Sequence, residues 1–270
     1  MRLAAYLARL GVEGPLPPDA ATLVKLHRAH LLAIPYENLD IHLGRELTLD
    51  AAAIFDKLVV RRRGGWCYEM NALFAWALGE LGFTVRLLSG AVNRRQHGEA
   101  TQQSHLALLV DLGQLYLADV GFGNGFLAPL RLEAGQVSQG FLTYRLEKLD
   151  GRWWRFHNHV YGGPSYDFTP EPYALSDFAG KCHELQTSSA WGFVRVAVYH
   201  RFTDAGIVSL RGAELKTVSR TGQAEAVLNS ETAYADALRR TFGLVPPEVS
   251  KLWRKVWTSH QAWVASQSGA

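Results

Sequence analysis

The chain has 270 residues, 48% of them apolar, and a formal net charge of +3 from 28 basic and 25 acidic side chains. That length can bury one large core or two or three smaller ones, and its two cysteines exclude both a disulfide framework and zinc spacings of the C-x-x-C type. A mildly basic balance with no cationic run longer than Arg61 to Arg63 does not point to nucleic acid, although it tolerates small anionic ligands.

In chain order, the opening MRLAAYLARLG is too short to span a bilayer and has no small-residue cleavage site, so it is expected to be an amphipathic helix of a cytoplasmic protein. Helical periodicity continues through DAATLVKLHRAHLLAI, LTLDAAAIFDKLVV with Asp50 as N-cap, and CYEMNALFAWALGELG closed by Gly82. After Gly82 the texture changes to β-branched and aromatic runs separated by turn residues: FTVRLLSGAV, SHLALLVDL, QLYLADV and FLTYRLEKLDGRWWRFHN. Beyond Ser188 a strand in GFVRVAVYHRF precedes helices in SETAYADALRRTFG and PPEVSKLWRKVWTSHQAW. The expected fold class is α+β. Residues 1–82 form a helical bundle, 83–187 an antiparallel β-barrel, and 188–270 an α/β lid, with no linker long enough to separate them.

Chemistry concentrates in RRRGGWCYEMN, Arg61 to Asn71. Gly64 and Gly65 free the backbone, and the helical pattern begins directly after them, so Cys67 falls in the first turn of a helix. A helix start favours a thiolate and offers N–H groups to an oxyanion. Most lone cysteines are nonetheless buried packing. A nucleophile also needs a base, and the base an orienting group. In SHLALLVDLGQLYLADVGFG a three-residue loop of Asp111, Leu112 and Gly113 pairs Val110 with Gln114 and sets His105 opposite Asp119. Partners so placed have Cβ atoms roughly 5 Å apart on one face, which lets a carboxylate hold an imidazole. Taken singly, His105 is better read as a satisfied sheet histidine and Asp119 as a turn residue. Together with Cys67 they form a Cys-His-Asp constellation.

RGGWCYEMN, IPYENLDI (Ile34 to Ile41), and SHLALLV followed by YLADVGFG resemble the arylamine N-acetyltransferases in sequence, order and spacing. The resemblance runs through most of residues 1 to 130. It implies a bundle, a barrel and an α/β lid, and a ping-pong reaction in which Cys67 takes an acetyl group from acetyl-coenzyme A and passes it to an arylamine or hydrazine. No metal, nucleic acid or membrane partner is expected. Cys67, His105 and Asp119 fall on the family's triad, and Glu37 and Arg63 on a pair that braces the catalytic loop. Solvated surface charges would look the same in sequence. Tyr36 and Trp66 are candidates to stack a planar amine, and equally for core packing. Phe122 and Gly123, in GFGNG, are candidates for the coenzyme A cleft. One departure is CHELQTSSAWGFVR, which keeps Gln186, Thr187 and Ser188 but lacks the family's proline, and so bears on the acceptor pocket. Cys182, read on a strand, is structural. His157 and His159 lack a third ligand for a metal. Trp253, Trp257 and Trp263 are expected to pack on the barrel. Alternatives are an amide synthase of the same fold acting on a carrier-bound acyl chain, and a Cys-His-Asp hydrolase.

Overall fold

The computed structural model describes residues 1–268. Helices α1 (Leu3–Leu10), α2 (Ala20–Ala33), α3 (Leu39–Leu43), α4 (Ala51–Phe55) and α5 (Cys67–Glu80) occupy the first third. Asp19 caps α2 by accepting from the Thr22 N–H at 2.8 Å, and Asp50 caps α4 from Ala53 at 2.7 Å. The apolar faces of α1, α2 and α5 meet around Tyr6, Leu23, Leu26, Leu73 and Phe74. Between α2 and α3 lies a two-residue strand, β1 (Tyr36–Glu37), which helical periodicity alone conceals.

The middle of the chain holds β2 (Thr84–Val92), a short helix α6 (Arg94–His97), then β3 (His105–Asp111), β4 (Leu115–Ala118), β5 (Leu130–Arg131), β6 (Gly135–Gln139), β7 (Leu142–Lys148), β8 (Trp154–His157) and β9 (Tyr166–Phe168). They form one antiparallel sheet in the order β5-β4-β3-β2-β9-β8-β7-β6. It curls into a nearly closed barrel. The side chain of Gln139, at the end of β6, donates to the Ala128 carbonyl at 2.6 Å and accepts from the N–H groups of Leu127 and Ala128 at 3.0 and 2.9 Å, just ahead of β5. Strand β3 is buried along almost its whole length, with α5 on one side and the barrel interior on the other, which explains why SHLALLVDL is apolar without alternation.

The last third contains α7 (Ala179–Thr187), α8 (Gly192–Arg195), β10 (Val198–Thr203), β11 (Gly206–Arg211), β12 (Glu214–Ser219), β13 (Gly222–Val227), α9 (Glu231–Ala237) and α10 (Val249–Ser268). Strand β1 joins β10 to β13 in a five-stranded sheet, so the helical third and the last third share a ladder. GFVR, expected as strand, makes the single turn α8 before β10 begins. Trp253 packs with Tyr199, Leu210 and Tyr234 on this second sheet, not on the barrel, while Trp263 is half exposed at 52%. Among the described residues no helix is long and apolar enough to cross a membrane. The fold is α+β: a helical bundle, a barrel-like antiparallel sheet and a mixed α/β unit.

Candidate active site

Cys67 is the first residue of α5, and three neighbouring segments hold that helix start in place. The Trp66 N–H is capped by the Glu69 carboxylate at 3.2 Å. The preceding glycines are tightly enclosed: a Cβ on Gly64 would sit 2.3 Å from the Pro35 carbonyl, and one on Gly65 2.9 Å from the Glu69 carboxylate. Gly121, from the loop after β4, presses on the Cys67 backbone, since a Cβ there would lie 2.7 Å from the Cys67 Cα. These approaches leave no room for a side chain.

Beneath the helix start lies a buried ionic cluster. Arg63 donates to Glu37 at 2.7 and 3.1 Å and to Asp40 at 3.2 Å. Lys57 Nζ bridges Asp40 at 2.7 Å and both Glu69 oxygens at 2.9 Å. Burial alone would lower the Lys57 pKa, but the carboxylates of Glu69, Glu37 and Asp40 outweigh it and hold the ammonium well above its usual range. Lys57 and Glu69 complete the cluster, and neither was singled out from sequence: an alternation of charge and apolar residues in DKLVV and CYEM reads as an ordinary helix surface.

His105 opens β3, and its Nε2 lies 2.7 Å from Asp119 Oδ2, with both side chains almost wholly buried. The register differs from the expected one. Asp111 pairs with Leu115 and Leu108 with Ala118, so the loop is Leu112, Gly113 and Gln114, and Asp119 lies diagonally from His105 rather than opposite it. Shifting the loop by one residue on both strands preserves the face, and for that reason the contact survives. Gly113 takes the left-handed conformation, φ 77°, that the turn requires. Asp119 also accepts from Asn71 Nδ2 at 2.9 Å, the Gly121 N–H at 2.9 Å and the Tyr166 hydroxyl at 3.0 Å. Burial would raise its pKa, but His105 and these donors keep the carboxyl below its ordinary value. At Cys67 the balance is opposite. Burial pushes the thiol up by more than its hydrogen bonds with the backbone of Leu106 and Tyr68 pull it down. The helix start therefore does not by itself produce the thiolate expected from sequence.

Cys67 and His105 line a common cavity of about 820 Å³ between the bundle, the barrel and the second sheet. Its apolar walls include Tyr36, Phe122, Trp191 and Phe193, and Arg195 and Arg211 bring positive charge to it. The Phe122 ring stands 4.9 Å from both His105 and Tyr166. Gly123, at φ 74°, does not line the cavity but lets the chain pass His200, whose ring would be 2.5 Å from a Cβ there. Trp66, expected in the pocket, is fully buried between Tyr68 and Phe193 and never reaches it. The glycine pair turns the backbone so that the indole enters the core and only the next residue faces the cavity. Cys182 lies on helix α7 rather than on a strand, and its burial pushes the thiol up to about 12. Gln186 bonds both backbone groups of Leu47, at 2.7 and 3.0 Å, so that part of the departing segment braces a loop, while Ala190 to Phe193 form the cavity wall. His157 and His159 part company: the first meets Glu147 at 2.7 Å, the second the Asn124 carbonyl at 3.0 Å.

A family model described as N-acetyltransferase matches residues 19–248. An arylamine N-acetyltransferase of Mycolicibacterium smegmatis is 38% identical over 263 residues, covering 90% of this chain and 92% of the relative. The chain belongs to the arylamine N-acetyltransferase family. Among solved members, the arylamine N-acetyltransferase of Mycobacterium marinum superimposes with a TM-score of 0.86 at 34% identity, over 94% of this chain and 98% of that one. Its complex with CoA superimposes with a TM-score of 0.86 at 33% identity, over the same shares. The chain is thus an acyltransferase.

Several histidines of the chain sit where burial disfavours the charged form. Burial pushes His27, His159 and His200 down to about 4 from their ordinary value of 6.5. With folded pKa values below the unfolded ones, the unfolded chain binds more protons in this window, so stability is full above pH 6.5 and falls as pH drops toward 4. Each histidine contributes a loss on the order of 3 kcal/mol, and the urea midpoint is expected to fall steeply between pH 7 and 5. An unchanged midpoint over that range would refute the assignment.

Proposed function

We propose that the chain transfers an acetyl group from acetyl-coenzyme A to an arylamine or arylhydrazine by a ping-pong route through acetyl-Cys67. The observation that carries this reading is a cysteine at a helix start, on the wall of a large cavity, together with a buried imidazole held by an ionised carboxylate. In the first half-reaction Cys67 Sγ attacks the thioester carbonyl carbon while its proton passes to His105. The C–S bond to coenzyme A breaks, and the departing thiolate takes the proton back from His105. In the second, the amine nitrogen attacks the acetyl-cysteine, His105 takes the nitrogen's proton, and the proton returns to sulfur as the amide leaves. Asp119 stays ionised throughout, fixing His105 in the tautomer with Nε2–H and stabilising its protonated form. The exchange of one thioester for another is nearly isoenergetic, and an aromatic amine is unprotonated at neutral pH. Tyr36 and Phe122 supply flat apolar wall for a planar acceptor, while Arg195 and Arg211 suit the anionic donor. Glu37 and Arg63 brace the loop that delivers Cys67.

Mixing the pure protein with acetyl-coenzyme A and weighing it is the direct test. One acetyl group should be gained by the wild type and none by Cys67→Ala, and an arylamine should discharge it. A wild type that gains no mass and leaves acetyl-coenzyme A unconsumed when the amine is added overturns the reading. Release of acetate without amine would assign a hydrolase instead.

A further inference from the structure

Strand β4 ends at Ala118, so Asp119 leaves the ladder just where the carboxylate must be held still. Three successive amides of this departing segment are taken by side chains or by the segment itself: Val120 N–H by Asn71 Oδ1 at 3.0 Å, Gly121 N–H by Asp119 at 2.9 Å, and the Asp119 N–H by His27 Nε2 at 3.1 Å. His27 comes from α2, 92 positions earlier in the chain. Because a backbone N–H can only donate, Nε2 must be bare and the proton must sit on Nδ1, which lies 3.0 Å from the Leu127 carbonyl. One imidazole therefore joins the two ends of the segment 119–127. Its ring is fully buried, stacked on Phe126 at 5.6 Å and 9° and edge-on to Phe74, so it has no freedom to turn.

We propose that His27, locked in the Nδ1–H tautomer, is a positioning residue that holds Asp119 against His105. The inference rests on the catalytic roles proposed above. It acts through the backbone of Asp119 rather than its carboxylate, so it tunes the orientation of the triad and not its charge. The titratable neighbours are His30, three residues further along α2, and Asp119 itself. Without an acceptor at Nε2, the Asp119 amide would be buried and unpaired, a penalty relieved by the loop shifting toward some other partner. Such a shift lengthens the 2.7 Å contact with His105.

Two near-isosteres separate the halves of this role. In His27→Gln the amide oxygen reaches the place of Nε2 and can accept from Asp119, whereas in His27→Asn the side chain is too short and serves only the Leu127 side. Two readouts follow, kcat and KM for acetyl transfer, and the pH midpoint of Cys67 alkylation by iodoacetamide. The glutamine variant should keep kcat within about threefold of wild type and leave the alkylation midpoint in place. The asparagine variant should lose about ten- to thirtyfold in kcat with KM within twofold, and its midpoint should move. Equal losses in the two variants, or a drop in kcat with an unmoved midpoint, overturn the inference. Alkylation needs neither acetyl donor nor amine, so its pH profile remains readable even where the acetyl-transfer reading fails.

Discussion

Asp119→Asn should lower kcat/KM for acetyl transfer by about 10,000-fold while the protein remains folded. The reason lies in the four donors that converge on this carboxylate: His105 Nε2, Asn71 Nδ2, the Gly121 N–H and the Tyr166 hydroxyl. A carboxylate accepts from all four. An amide has one acceptor oxygen, and its NH2 group must face a donor. If that donor is His105, the imidazole exchanges tautomers, moves its proton to Nδ1, and can no longer take one from sulfur. Loss of the negative charge removes the support for protonated His105 as well. The measurement is initial rates with acetyl-coenzyme A and an arylamine, with circular dichroism confirming the fold. A loss smaller than tenfold would show that Asp119 is not the group that orients the base.

Lys57→Met is expected to cost about 3–5 kcal/mol of stability. Its ammonium is the shared counter-charge of Asp40 and Glu69, and its side chain is only 5% exposed. Removal strips Glu69 of its cation and leaves Asp40 with Arg45 at 3.4 Å and with Arg63, which is already committed to Glu37. For a chain of this size the loss corresponds to a melting temperature lower by roughly 10 °C. Adding Glu69→Gln should recover part of it by removing one stranded charge, although the Trp66 cap then weakens. Thermal melts of the single and double variants decide the matter. A single variant that melts with the wild type would mean that the cluster is solvated and energetically idle.

How much of this was legible in sequence depended on how local each signal was. The cysteine at a helix start follows from two glycines and the apolar period after them, all within ten residues. The hairpin pattern around Gly113 carries the face of the His105–Asp119 contact but not its register. A one-residue error on each strand moves partners along the strands but keeps their parity, whereas a two-residue loop would have turned them apart. What stayed hidden was carried by bonds from a side chain to a distant backbone. His27 looks like any helical histidine, because nothing near it in the chain announces the amide it meets 92 positions later. Trp66 is ambiguous for a related reason: an aromatic beside a motif has the same letter whether it faces a cavity, as Tyr36 does, or the core, as Trp66 does. Strand β1 was invisible because two residues are too few to carry a period.

That short strand has a consequence for how the molecule is born. Tyr36 and Glu37 pair with His200 and Tyr199, and Tyr36 also bridges to Gly65, so the loop that leads into Cys67 is stitched to a strand made more than 160 residues later. A ribosome emitting this chain presents the bundle and the barrel first, with the cysteine already outside the exit tunnel but its loop still lacking a neighbour. On the roles proposed above, a working site therefore waits until β10 has been made. A nascent chain stalled before Val198 would hold Cys67, His105 and Asp119 in its sequence and yet have no finished wall behind them.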